Sequence, residues 1–88
     1  MSQRLTELEL IQRLNTAKEK VTIGAFYRHY KGGLYKVLDL AISTENDDNV
    51  CVVYQAQYGD KITFTRPVNI WTEMIHHEGK TIERFALT

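Results

Sequence analysis

The sequence predicts a small, mainly-β domain led by an amphipathic α-helix, and three observations predict it. From Val21 onward, β-branched and aromatic residues dominate in short runs punctuated by glycines. The run Val50–Tyr58 alternates cleanly. Val50, Val52, Tyr54, Ala56 and Tyr58 fall on one face, and Cys51, Val53, Gln55 and Gln57 on the other. Before Val21 the period is different: Leu5, Leu8, Ile11, Leu14 and Ala17 recur every three residues with Leu10 beside them, a helical stripe over 5–18.

The helix carries its own start and stop signals. Thr6 and Glu9 have the spacing of a capping box, in which the Thr6 hydroxyl accepts from the third helical amide and Glu9 reaches back. Leu5 and Leu10 stand at the staple positions. Glu7 and Glu9 suit the positive end of the helix dipole, and Lys18 and Lys20 the negative end. Glu9 and Arg13 form an i,i+4 pair in the favourable orientation.

Strands follow. Ala25–Lys31 reads as the first, Gly32-Gly33 as a tight turn, and Leu34–Thr44 as the second. The stretch 45–49 is a polar loop, Val50–Tyr58 the third strand, and Gly59-Asp60 a two-residue hairpin turn. Ile62–Arg66 returns, and Pro67 ends that strand or places it at an edge. Residues 68–75 are ambiguous, with a short helical turn around Trp71. Glu78-Gly79 marks another turn, and Thr81–Leu87 a last strand. About five short strands at this spacing predict a small barrel or a strongly bent sheet. The helix must bury its leucines on that barrel or on a partner chain, which makes a homodimer through the helix one of two expected arrangements.

The 88 residues suffice for one domain, with residues 1–23 as helix and connector and 24–88 as the β domain of a single compact unit. Chains of this size bury roughly 60–65% of their unfolded surface, leaving little interior for a large cofactor. The 11 basic and 11 acidic residues balance, so no global field draws nucleic acid or an anionic membrane. One cysteine, Cys51, precludes an intrachain disulfide and points to a reducing, cytoplasmic setting. The longest apolar run, Val50 to Tyr54, falls far short of the ~20 residues of a membrane span, and the acidic N-terminal stretch is unlike a signal peptide.

No complete catalytic or metal motif is present. Cys51 lies between two valines, where it reads as a packed thiol rather than a nucleophile. His76 and His77 are adjacent, which sends them to opposite faces of a strand, and no further ligands stand at a recognisable spacing. The acidic stretch 45–49 lacks the glycine and terminal glutamate of a calcium loop. Gly32-Gly33 and Gly59 precede strands, not helices, so no phosphate-binding glycine loop is expected. No cofactor and no metal are expected.

Aromatic residues interleaved with basic ones are the feature that stands out. Tyr27-Arg28-His29-Tyr30-Lys31 places Tyr27 and His29 on one face of a strand and Arg28 and Tyr30 on the other. Tyr35, Tyr54 and Tyr58 follow on the next strands. Such a surface binds single-stranded nucleic acid, peptides or flat ligands, whereas a tyrosine taken singly fits a barrel core with its hydroxyl at the rim. Arg66 and Arg84 each suit either a carboxylate or phosphate clamp or a structural ion pair with Asp60 or Asp39. The balance is even for Arg66 and favours structure for Arg84.

Several of these segments together resemble the bacterial DUF1653 family. They are Tyr27-Arg28-His29-Tyr30-Lys31-Gly32, Tyr35-Lys36-Val37, Ala41, Val53-Tyr54-Gln55-Ala56-Gln57-Tyr58-Gly59-Asp60, Arg66-Pro67 and Arg84-Phe85, spanning about residues 24–87. The resemblance implies an SH3-like small β-barrel and no assigned activity. Phe64 stands where the family often has tryptophan, and Trp71 where it usually has phenylalanine. Both keep aromatic bulk.

The expectation is therefore a non-enzymatic binding or regulatory module for a peptide, protein or small anionic ligand. Its expected contact residues are Tyr27, His29, Tyr30, Lys31, Tyr58 and Arg66. Two alternatives use the same surface: a single-stranded RNA binder, which the balanced charge disfavours, and a small enzyme using His29 with Arg66 as anion stabiliser.

Overall fold

In the computed structural model of the chain, residues 5–45 and 49–88 are described. The order is α1 (Glu7–Lys20), β1 (Phe26–His29), β2 (Leu34–Ser43), β3 (Asn49–Ala56), β4 (Thr63–Pro67), α2 (Val68–Trp71), β5 (Met74–His77), β6 (Lys80–Glu83) and β7 (Phe85–Leu87). The mainly-β class and the N-terminal helix stand. Most of the polar loop predicted at 45–49 lies outside the described residues.

The helix starts as its sequence dictates. The Thr6 hydroxyl accepts from the Glu9 amide at 3.2 Å, and the Glu9 carboxylate accepts from the Thr6 amide at 2.9 Å. These bonds hold the Glu9 carboxyl below its usual pKa. The buried stripe is the predicted one only in part. Leu14, Ala17 and Val21 meet the core, whereas Leu8 and Ile11 are exposed. Geometry explains the difference: at about 100° per residue, a three-residue repeat drifts by roughly 60° at each step and winds around the helix. Leu14, Ala17 and Val21 follow the 3–4 spacing that stays on one side. That side packs on β2 and β3 of its own sheet.

Five strands form one antiparallel sheet in the order β4-β3-β2-β1-β7, and β5 pairs with β6 as a separate hairpin. The sheet is open. The barrel expected from the strand count is not closed by hydrogen bonds, because β4 and β7 remain edges. They meet instead through side chains: the Arg66 guanidinium carbon on β4 lies 5.4 Å from the Phe85 ring centroid on β7. A bulge at Leu38 shifts the β2–β3 register, which is why Val37 and Leu40, three apart, are both buried.

Several boundaries moved for local reasons. β1 ends at His29 because Tyr30, Lys31 and Gly32 form the turn. It is closed by the His29 amide donating to Gly33 at 2.8 Å, with Gly32 at φ 111°. The β3–β4 connection is the six-residue stretch 57–62, not a two-residue turn, since the Ala56 amide donates to the Ile62 carbonyl and the Gln57 amide turns back to the Leu34 carbonyl. The last predicted strand splits at Arg84 into β6 and β7, and β5 had no clear sequence signal.

The core is built on rings. Trp71, 2% exposed, stacks on Phe85 at 3.6 Å and meets Tyr27 and Tyr54 edge-on at 5.4 and 4.8 Å. Val37, Val52 and Val21 are fully buried beside them. A large aromatic buried this way is worth several methylenes of transfer energy plus about 0.5–1.5 kcal/mol per favourable ring pair.

Candidate aromatic-cationic site

β1, β2, β3, β4 and β7 each send a side chain into one open cleft of about 650 Å³. Its floor is aromatic. Tyr54, on the inner face of β3, meets Tyr35 of β2 edge-on at 5.3 Å and Phe85 of β7 at 5.8 Å. Tyr58, from the loop after β3, stands at the rim and shares a 2.6 Å hydrogen bond with the Tyr35 hydroxyl. That bond, with partial burial, pushes the Tyr35 pKa up to about 12, so its phenol stays protonated at any physiological pH.

Gly33 makes room for the tyrosine pair. A Cβ there would sit 3.0 Å from one Tyr35 ring carbon and 3.2 Å from one of Tyr58, so any larger residue displaces them.

The charged lining is of one sign. Arg28, Lys31 and Arg66 line the cleft and, among the described residues, no aspartate or glutamate does, in a chain of zero net charge. Arg28 is partly committed, donating to the Gly32 carbonyl at 2.8 Å and bracing the β1–β2 turn. Arg66 is less so. Its Nε donates to the Tyr54 hydroxyl at 3.3 Å, and among the described residues no carboxylate pairs with it. Neither Asp39 nor Asp60, the partners considered from sequence, serves: Asp39 accepts from the Leu40 amide.

His29 completes the wall. Its ring packs edge-on to Phe85 at 4.8 Å, and its Nδ1 accepts from the Lys31 amide. Burial first, then the positive charges of Arg66, Arg84 and Lys31, push its pKa below the ordinary histidine value. The free site thus holds a neutral imidazole that an incoming anion would favour protonating.

Of the residues predicted from sequence, His29, Lys31, Tyr58 and Arg66 come together here. Tyr27 does not. It is 5% exposed and part of the core, its hydroxyl accepting from the Thr22 amide. Tyr30 leaves the strand at the turn and faces His77 of the β5–β6 hairpin at 5.3 Å, lining a neighbouring groove. Sequence reasoning left Tyr35, Tyr54, Phe85 and Gly33 out of the site. The alternation of β3 already turned Tyr54 inward, but only the strand pairing brings these residues together.

The other candidate constellations stay apart. Cys51 is a half-buried free thiol whose β3 neighbours Val52 and Tyr54 face the core side. His76 lies against the Thr81 hydroxyl, and His77 is 3.8 Å from Glu78. Among the described residues, no three histidine, cysteine or acidic side chains converge on a point. A second groove, between α1 and β3, mixes Glu9 with Arg13 and Lys20, so it has no single sign to offer a ligand. No described helix is long and apolar enough to cross a membrane.

An open five-stranded sheet curled around aromatic side chains, with cations at one mouth, defines a small β domain with a ligand-sized cleft. The chain belongs to the DUF1653 family, a protein family of unknown function whose model matches residues 25–87. It is similar to a crystal structure of a DUF1653 protein from Bordetella bronchiseptica, at 36% identity and a TM-score of 0.66, covering 76% of this chain and 87% of that one. No curated protein matches it. The match begins after α1, so the helix is an addition to the part that the family model describes.

Proposed function

We propose that the chain is a non-enzymatic binding module whose cleft takes a ligand carrying a carboxylate or phosphate beside a flat apolar part. The observation that carries this reading is Arg66, a half-buried guanidinium beside an aromatic floor with no carboxylate partner among the described residues. An unpaired cation in a concave, partly dry site gains far more from an anion than one in open water. The fork of an arginine suits both oxygens of a carboxylate or phosphate. The exposed Tyr58 ring and the Tyr54 and Phe85 rings offer faces and edges to the apolar part.

Nuclear magnetic resonance titration with benzoate and phenyl phosphate tests it. Both should shift the Gly33 and Tyr58 amides saturably. Arg66→Gln should weaken binding by about tenfold or more, the worth of one charge-assisted hydrogen bond. Equal affinity in the variant would remove the basis of this reading.

A further inference from the structure

We infer that the free edge of β4 receives an extended acidic peptide, which adds to the sheet as a new strand and sets a carboxylate side chain against Arg66. This rests on the anion-binding reading of the cleft and names the kind of molecule that supplies the anion.

The strand register shows which backbone groups are free. The Ala56 amide donates to the Ile62 carbonyl, and β3 and β4 continue in register through Tyr54–Phe64 and Val52–Arg66. Hydrogen-bonded and non-bonded pairs alternate in an antiparallel ladder. Phe64 and Arg66 therefore spend their amides and carbonyls on β3, and Ile62 spends its carbonyl there. Thr63 and Thr65 point theirs outward, at a strand that ends the sheet. Pro67 falls at a non-bonded position, so its missing N–H costs the ladder nothing.

Between its guards Lys61 and Pro67, this short edge leaves an uncharged stretch open. Ile62 and Phe64 are 57% and 40% exposed, Thr63 and Thr65 are exposed, and no acidic residue lies between Lys61 and Arg66. The packing neighbours of β4 are β3 and α2.

An antiparallel peptide bonded to Thr63 and Thr65 would meet Phe64 and Arg66 at non-bonded positions, where facing side chains come closest. Those two side chains are on the cleft face, with Phe64 5.7 Å from Tyr54 and Arg66 over Phe85. An acidic side chain opposite Arg66 enters the cleft's mouth. Charge selects the occupant: the edge carries cations at both ends, Lys61 and Arg66, and a second copy pairing β4 with β4 brings only more of them. A phosphodiester backbone supplies acceptors, but the outward carbonyls of Thr63 and Thr65 need donors, which a peptide amide provides.

The test uses the labelled full chain with a capped eight-residue peptide alternating threonine and glutamate, its glutamine counterpart, a short single-stranded RNA, and benzoate as the small-anion control. The expected result is slowed hydrogen exchange at the Thr63 and Thr65 amides with the acidic peptide. Thr65→Pro, or Thr63→Pro if that variant folds poorly, removes one outward donor without touching a ladder bond. It should weaken peptide binding about tenfold and leave benzoate binding unchanged, whereas Arg66→Gln weakens both.

Peptide binding without edge protection, or undiminished in the proline variant, overturns the edge inference while leaving the cleft reading intact. Failure of benzoate to bind removes the cleft reading itself. Equal binding of the glutamine peptide overturns the acidic specificity. RNA that binds where the peptide does not, or edge protection that appears on concentrating the protein alone, overturns the inference in favour of nucleic acid or a second copy.

Discussion

Arg66 lies over the Phe85 ring, Arg84 precedes Phe85 in the chain, and both act on the same histidine, yet the fold uses them differently. Arg84, between β6 and β7, reaches Glu73 at 2.6 Å, and its amide also donates to the Glu73 carbonyl. It ties the β5–β6 hairpin to the sheet. Arg66, on β4, has an aromatic hydroxyl and a ring face for company and, among the described residues, no acid. A cation that brings its own carboxylate is part of the architecture. One held in place by neutral groups is left to interact with something that arrives.

The comparison can be broken most forcefully at the ring that both regions share. Phe85→Ala removes the partner of Trp71 and the surface beneath Arg66, and should cost about 3–5 kcal/mol, read as a large drop in thermal midpoint. A loss below about 1 kcal/mol would mean that the two regions do not share a core. Next come the arginines themselves. Arg84→Gln should destabilise by about 0.5–1 kcal/mol, because its ion pair is only partly shielded from solvent, and leave benzoate affinity unchanged. Arg66→Gln should do the reverse, with stability almost unaltered and affinity lost. Matching profiles for the two variants would erase the distinction.

Acid separates the regions more gently. The folded-state pKa of His29 lies below its ordinary value of about 6.5, so the unfolded chain takes up that proton first. Its contribution to stability is complete above about pH 6.5 and is lost as pH falls toward the folded-state value. An anion in the cleft favours the protonated ring, so affinity should rise over the same window. Chemical denaturation and benzoate titration at several pH values should show the two trends running in opposite directions, and His29→Gln should flatten both. The smallest expected effect is at the rim. Tyr58→Phe removes the hydrogen bond to Tyr35, so the Tyr35 phenol should titrate closer to the ordinary tyrosine value than to about 12, seen in its phenolate absorbance.

Much of the fold was legible because its signals are local. The Thr6–Glu9 cap, the alternation of β3 and the Glu78-Gly79 turn need only neighbours in sequence. That turn has both residues at positive φ and closes the β5–β6 hairpin. The burial of α1 was legible at Leu14 and Ala17 and misjudged at Leu8 and Ile11, where an apparent repeat of three ignores the helical pitch, and β5 was missed because Met74–His77 carries no alternation of its own. The site was half legible. The cluster of tyrosines and cations around residues 27–31 drew attention to the corner where the cleft lies, and Arg66, which suits a clamp or an ion pair evenly from sequence, has no acidic partner among the described residues. Nothing local says that Tyr27 turns into the core while Tyr35 lines the cleft. That depends on which strand lies beside which, and in particular on β7 returning from the far end of the chain to pair with β1. Even the openness of the sheet is a long-range fact: five strands can close or stay open, and here side chains bridge the edges instead of backbone.

The Trp71–Phe85 stack gives the molecule an optical property. Trp71 is the only tryptophan in the sequence and is 2% exposed, with its ring flat against the phenylalanine that lies next to Arg66. Its emission should be that of an indole in a dry setting and should respond when the guanidinium is drawn toward an anion. The protein therefore carries a built-in fluorophore directly behind its cleft, and occupancy can be read from the unmodified chain without a label.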